Sequence, residues 1–163
     1  MNGVVLTAVL KELTQLHQLF NELAKEKTEA VRKGQIEDLE KIMKQETACI
    51  HQLKKLEEKR QRATSVWLET QGLVKENVTV EEIIPYLDDE EQKELTLWQT
   101  RLLEQITMWK EQNDLNEQLI EESLRFVNMS LDVFQPNRSE NYSRPDTGHS
   151  HTEERRSIFD SKA

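Results

Sequence analysis

Apolar residues in the first part of the chain recur at alternating steps of three and four. This spacing is typical of a heptad seam, in which apolar side chains share one side of an α-helix and pack on a neighbouring helix. The first seam consists of Leu6, Val9, Leu13, Leu16, Phe20 and Leu23. Leu10 and Leu19 widen this seam, so we expect the first helix to contact two neighbours.

A short link follows at "RKGQIEDLE". Gly34 can adopt the left-handed conformation that ends many helices, and Arg32 and Lys33 suit the last helical turn. Because apolar spacing resumes at once, we expect the second helix to run antiparallel to the first. Glu46 and Arg60 interrupt the second seam, either as partly exposed residues or as residues that fix the register.

Two further helix starts follow in the second half of the chain. In "TVEE", Thr79 and Glu82 have the spacing of a capping box, which predicts a short helix over residues 80–86. The acidic "DDEE" suits the start of a last helix from about Asp89 to Phe134, which ends before Pro136. At 1.5 Å per residue this helix is roughly 70 Å long against roughly 50 Å for the second one, so we expect one end to overhang the hairpin.

The last helix carries two apolar stripes on nearly opposite faces. The long stripe runs from Leu95 to Phe134, and we expect it to pack on the hairpin. The second stripe occupies the later half and consists of Leu115, Leu119, Phe126, Met129 and Val133. Since no further helix is predicted to cover it, the second stripe indicates a missing partner that binds helix on helix. The short helix or a second copy of the protein are the alternative covers.

Asn113 and Asn116 fall within the long stripe. A buried asparagine in a helical seam can fix the register between helices. Alternatively, these two amides bind backbone groups of the partner chain.

The composition favours long helices over sheet. Of 163 residues, 33% are charged and 36% hydrophobic, with only 4 glycines and 3 prolines to interrupt helices. We therefore predict an all-α fold, an antiparallel bundle of three long coiled-coil-like helices plus one short helix. Residues 1–135 form the predicted helical domain, and the polar residues 136–163 form a predicted disordered tail.

The charge and the cysteine content narrow the class of protein. A formal net charge of −9 argues against binding to nucleic acid or to an anionic membrane surface. With one cysteine, Cys49, an internal disulfide is impossible, which favours a cytoplasmic protein. The apolar start lacks a basic flank and is too short to span a bilayer, so we expect neither a signal peptide nor stable membrane insertion.

No motif for catalysis, metal binding or a cofactor is evident. His17 and His51 lie beside the helical seams, where packing or surface roles are the common ones. The "HSH" of the tail offers two ligands, which do not make a metal site. Cys49 lies on a seam as a small buried hydrophobe rather than as a nucleophile.

Three segments, in order, carry a resemblance to a known family. "EKTEAVRKGQIEDLEKIMKQE" looks like the helix–Gly–helix hairpin of the flagellar export chaperone FlgN. "NDLNEQLIEESLRFVNMSLDVFQP" resembles its Asn-x-x-Asn-x-x-Leu segment, and "NYSRPDTG" is similar to the tyrosine and glycine of its tail. The chain thus resembles the FlgN family over essentially its whole length.

This resemblance implies a soluble, non-enzymatic chaperone of the flagellar type III export system. Such chaperones bind the hook-filament junction proteins FlgK and FlgL, prevent their premature assembly and deliver them to the export gate. Carried over to this sequence, the helix from Asn113 to Phe134 would hold the client, and Tyr142 would dock on the gate protein FlhA. The tail beyond Gly148 departs from the family pattern.

A structural coiled-coil protein that self-associates is the alternative function. The late apolar stripe would then bind a second copy. The sequence is also compatible with a homodimer of the client-free chaperone.

Overall fold

Four α-helices form the regular structure of residues 2–134, the part of the chain that the computed structural model describes. The helices are α1 (Asn2–Lys33), α2 (Ile36–Thr70), α3 (Val80–Ile83), which continues as a 3-10 turn (Ile84–Tyr86), and α4 (Asp89–Phe134). The predicted all-α fold of three long helices and one short helix is confirmed. The predicted tail, with Tyr142, lies outside the described residues.

The helix ends follow the local sequence signals. Gly34 has a φ of 66°, in the left-handed region, where a residue without Cβ is favoured. Thr79 accepts a hydrogen bond from the Glu82 backbone N–H, and the Glu82 carboxylate accepts one from the Thr79 N–H, which completes the predicted capping box. Asp88 Oδ1 accepts hydrogen bonds from the backbone N–H groups of residues 90 and 91 at the start of α4.

Helices α1 and α2 form an antiparallel hairpin that two ion pairs bridge. Lys59 Nζ donates to Glu12 Oε1 at 2.7 Å, and Lys27 Nζ lies 3.1 Å from Glu46 Oε2. The partners rise in number on one helix as they fall on the other, as antiparallel packing requires. Glu46 thus interrupts the second seam as a partly buried partner of α1, which is the geometry of a register-fixing charge.

Helix α4 runs parallel to α1. Lys11 Nζ donates to Glu94 Oε1 at 2.9 Å, and Asn21 Nδ2 donates to the Gln105 carbonyl oxygen at 3.0 Å. These paired residues differ by 83 and 84 in number. Because α1 ends at Lys33 and both helices rise equally per residue, α4 passes the end of α1 at about residue 120.

The larger of two apolar core clusters lies where α4 begins. Here α3 closes the bundle, since Ile83 is fully buried in one cluster with Leu10, Trp67 and Leu95. A second cluster, which includes Phe20 and is joined by the partly buried Trp109, continues between the helices. Since α3 packs into the first cluster, it does not cover Leu115 or Phe126 of the late stripe.

The chain divides into two units, residues 1–126 and residues 127–163. The contacts above all belong to the first unit. The described part of the second unit is the last segment of α4, from Val127 to Phe134. The proposed division into residues 1–135 and 136–163 stays a prediction.

The expectation that the long stripe packs on the hairpin over its whole length is wrong. In the first unit its members are buried or partly buried as far as Ile120, but Leu124 is exposed. The reason is the register of α4, which leaves Leu124 without a facing turn of α1. In the second unit, Val127, Leu131 and Phe134 are exposed as well.

Candidate partner-binding surface

The late-α4 surface consists of Leu115, Leu119 and Phe126 in the first unit. Leu115 is exposed, Leu119 is partly exposed, and 72% of Phe126 is accessible to solvent. Their spacing of four and seven residues places them on one face of the helix. An apolar row of this kind, next to a well-filled core, is typical of a surface that binds another helix.

The terminal α4 patch consists of Met129 and Val133 in the second unit. Both side chains are mostly exposed, at 65% and 73%. Their spacing of four residues places them on the same face of this segment. All members of the predicted second stripe are thus at least partly accessible to a partner.

Asn116 holds a different position from the rest of the predicted site. Only 2% of it is exposed, and its Nδ2 atom donates to the Ala24 carbonyl oxygen at 2.8 Å. Its Oδ1 atom accepts from the Thr28 hydroxyl, which in turn accepts from Gln112 Nε2 at 2.6 Å. Asn116 therefore anchors α4 on α1, as a register-fixing asparagine does. Asn113 is half-buried on the same side of α4.

Carboxylates surround the late-α4 surface. Glu117, Glu121 and Glu122 are all exposed between its apolar positions, and Arg125 is the basic residue among them. Charged neighbours of one sign favour a partner that carries the opposite sign at the edge of its apolar stripe. The surface is suited to an amphipathic helix with basic flanks.

A second candidate feature is a groove of about 740 Å³ between α2 and α4, with α1 beneath it. The imidazole of His17 lines it, 9% exposed, and burial lowers the pKa of this histidine. Its Nδ1 atom is buried without a hydrogen-bond partner among the described residues. No local sequence pattern predicts this groove, because its walls come from segments far apart in the chain.

The described residues give no indication of catalysis. Within residues 2–134 no group of three or more histidine, cysteine or acidic side chains is placed to hold a metal ion. Burial, with a smaller contribution from Glu46, raises the pKa of the Cys49 thiol, whereas reactive thiols have a lowered pKa. None of the helices in this part of the chain combines the length and apolar character that a membrane span requires.

Comparison with known proteins shows the family to which the chain belongs. The family model described as FlgN protein matches residues 1–148. The chain belongs to the FlgN family, a family of flagellar export chaperones. It is also 29% identical, over 164 residues, to a Bacillus subtilis (strain 168) protein described as "Uncharacterized protein YvyG", and the alignment covers 100% of both chains. No solved structure matches it.

Family membership sets the general role. It supports a role for this chain as a flagellar export chaperone that binds flagellar export substrates. It is also consistent with a protein that is not an enzyme, since the family is one of chaperones.

Proposed function

We propose that this chain is a cytoplasmic chaperone for the hook-filament junction proteins FlgK and FlgL. It holds them before export, prevents their premature assembly and delivers them to the export gate. The observation that carries this proposal is the late-α4 surface, in which Phe126 is exposed whereas Leu95, at the start of the long stripe, is covered by the hairpin.

The proposed client interaction is helix on helix. The terminal regions of filament-type clients expose apolar seams until they assemble, and exposed seams promote aggregation. Burying apolar surface contributes about 25 cal/mol per Å², so a phenylalanine ring is a natural anchor for such a seam. Leu115 and Leu119 would continue the contact along the first unit, and Met129 and Val133 would offer a patch of their own in the second unit.

Asn113 and Asn116 would have different roles in client binding. Asn113, which is half-buried, would meet polar groups of the client at the margin of the surface. Asn116 is already hydrogen-bonded to α1, so it would support client binding indirectly, by holding α4 in register with α1. A surface on a helix with a fixed register is pre-organised, which lowers the entropic cost of binding.

Delivery to the gate would use a separate contact. Tyr142, which lies outside the described residues, would dock on FlhA while the client stays on α4. An aromatic ring that enters an apolar pocket can dominate a small contact.

The proposal is tested by mixing the purified full-length chain with purified FlgK or FlgL. We expect light scattering after gel filtration to show a complex of chaperone and client. A client without its C-terminal helical region is the matched control and should elute alone. A homodimer that is indifferent to both clients would contradict the proposal and favour the self-associating coiled-coil protein.

A further inference from the structure

The groove between α2 and α4 has an apolar floor and an open mouth. Leu10 and Leu13 of α1 form the floor, Leu53 and Leu68 line the α2 side, and Leu102 and Leu103 line the α4 side. Along α2 the groove extends from Leu53 to Leu68, which is about 22 Å or roughly four helical turns. These dimensions suit a short amphipathic helix that inserts its apolar side chains.

His17 provides an independent indication of an occupant. It lines the groove and is more than nine-tenths buried, yet its Nδ1 atom lacks a hydrogen-bond partner within the described part of the chain. A buried polar atom without a partner destabilises the free protein. An occupant with a polar group beside its apolar stripe would relieve that cost.

The charges along the groove indicate the sign of the occupant. Glu57 and Arg60 neutralise each other on the α2 wall, with Nη2 and Oε1 2.6 Å apart. At the end formed by the α2–α3 link, Lys75 lines the groove and pairs with Glu82, with Nζ and Oε1 2.7 Å apart. Glu76 and Glu81 line the same end, and neither has an ion-pair partner in the described residues. This end therefore favours a positively charged group.

We propose that this groove binds one amphipathic helix of the exported client, with the apolar stripe on Leu53 and Leu103 and a basic end beside Glu76 and Glu81. The inference rests on the proposed function and adds a second client contact to the late-α4 surface. Charge complementarity favours a client helix over a second copy of this chain. The exposed apolar row of α4 is flanked by Glu117 and Glu121, which would meet the acidic end of the groove with like charge.

Site-specific photo-crosslinking tests the inference on the full-length chain. Benzoylphenylalanine replaces Leu103 in one variant and Phe126 in another, and each variant is irradiated with purified FlgK and FlgL. Both positions are exposed, so the substitution should preserve the fold. We expect both variants to form a covalent product with the client, and we expect the peptide joined to position 103 to carry lysine or arginine.

The outcomes separate the two proposals. A client product from position 126 alone would overturn the groove contact and leave the proposed function intact. A client product from position 103 alone would support the groove and remove the late-α4 surface. Products from neither position would overturn both. A homodimer product, or a product with residues 135–163 of the same chain, in place of a client product at position 103 would also overturn the groove contact.

An affinity measurement adds a matched pair of variants. Leu103 is 54% exposed at the mouth of the groove, and Leu97 is similarly exposed on α4 but does not line the groove. We expect Leu103→Glu to weaken client binding roughly tenfold or more in titration calorimetry, because it places a carboxylate against an apolar helix near other acids. Leu97→Glu should leave the affinity within about twofold. Equal effects of the two variants would contradict the groove contact.

Discussion

The Nδ2 atom of Asn116 donates a hydrogen bond to the carbonyl oxygen of Ala24 at 2.8 Å, although the two residues lie 92 positions apart in the sequence. This bond crosses from α4 to α1 inside the bundle. A side-chain donor that finds a backbone acceptor on another helix fixes how far one helix can slide along the other. The level on α4 at which α1 ends, at about residue 120, depends on that register.

Asn116→Ala should lower the free energy of unfolding by about 1–3 kcal/mol, because it leaves buried polar groups of α1 without partners. Urea denaturation followed by circular dichroism measures this change. Asn113→Ala is the control, since Asn113 is only half-buried and should contribute less. Equal losses of unfolding free energy in the two variants would show that the hydrogen bonds of Asn116 to α1 do not stabilise the fold more than Asn113 does.

The hairpin should behave as the structural part of the protein. Leu13 is buried in the core cluster that α3 closes, so Leu13→Ala should cost about 2–5 kcal/mol of unfolding free energy. Val4→Ala, at an exposed position of the same helix, should be nearly neutral in the same urea titration. A Leu13→Ala variant as stable as the wild type would contradict the structural role of this position.

His17 should make the stability depend on pH. Burial lowers the pKa of the His17 imidazole below its ordinary value, so the unfolded chain takes up a proton more readily than the folded one as the pH falls. The free energy of unfolding should therefore fall as the pH drops from about 7.5 to about 5.5. Glu57 lines the same groove, but the hydrogen bond from Arg60 lowers its pKa, so it titrates below this window.

Urea titrations at the two pH values measure the effect of His17. The loss of stability should be smaller in His17→Leu, which has no proton to gain. An equal loss in both proteins would assign the pH dependence to other groups.

Tyr142 should act on gate binding alone. A pull-down on the soluble domain of FlhA is expected to retain the client–chaperone complex of the wild type and to lose that of Tyr142→Ala. Tyr142→Phe keeps the aromatic ring and should bind nearly as the wild type does. Unchanged gate binding by Tyr142→Ala would remove this role, and Ile158 and Phe159 would be tested next.

The sequence predicted the ends of the helices because those signals are local. Gly34, the Thr79–Glu82 capping box and the acidic start of α4 each act within a few residues of the boundary they set. The heptad spacing also predicted which faces of α1 and α2 pack together. Because an α-helix has a fixed number of residues per turn, the spacing of two residues determines whether they lie on the same face.

The register between helices was harder to predict. The spacing of Leu124 continues the long stripe, yet this leucine is exposed because the neighbouring helix has already ended. The groove beside His17 depends likewise on how α2 and α4 are placed on α1. Periodicity predicts on which face of its helix a residue lies, but not which residues of a neighbouring helix it faces. The exposure of Leu124 and the groove beside His17 therefore cannot be predicted from a single segment.

Phe126→Glu tests whether the late-α4 surface holds the client. Because Phe126 is largely exposed in the free protein, its replacement should leave helicity and the thermal midpoint nearly unchanged. Gln118→Glu is the matched control, since it adds the same charge at an exposed polar position of the same helix.

The measurement is titration calorimetry of each variant with purified FlgK and FlgL. We expect Phe126→Glu to abolish measurable binding and Gln118→Glu to bind as the wild type does. A folded Phe126→Glu variant that binds both clients with wild-type affinity would contradict this expectation.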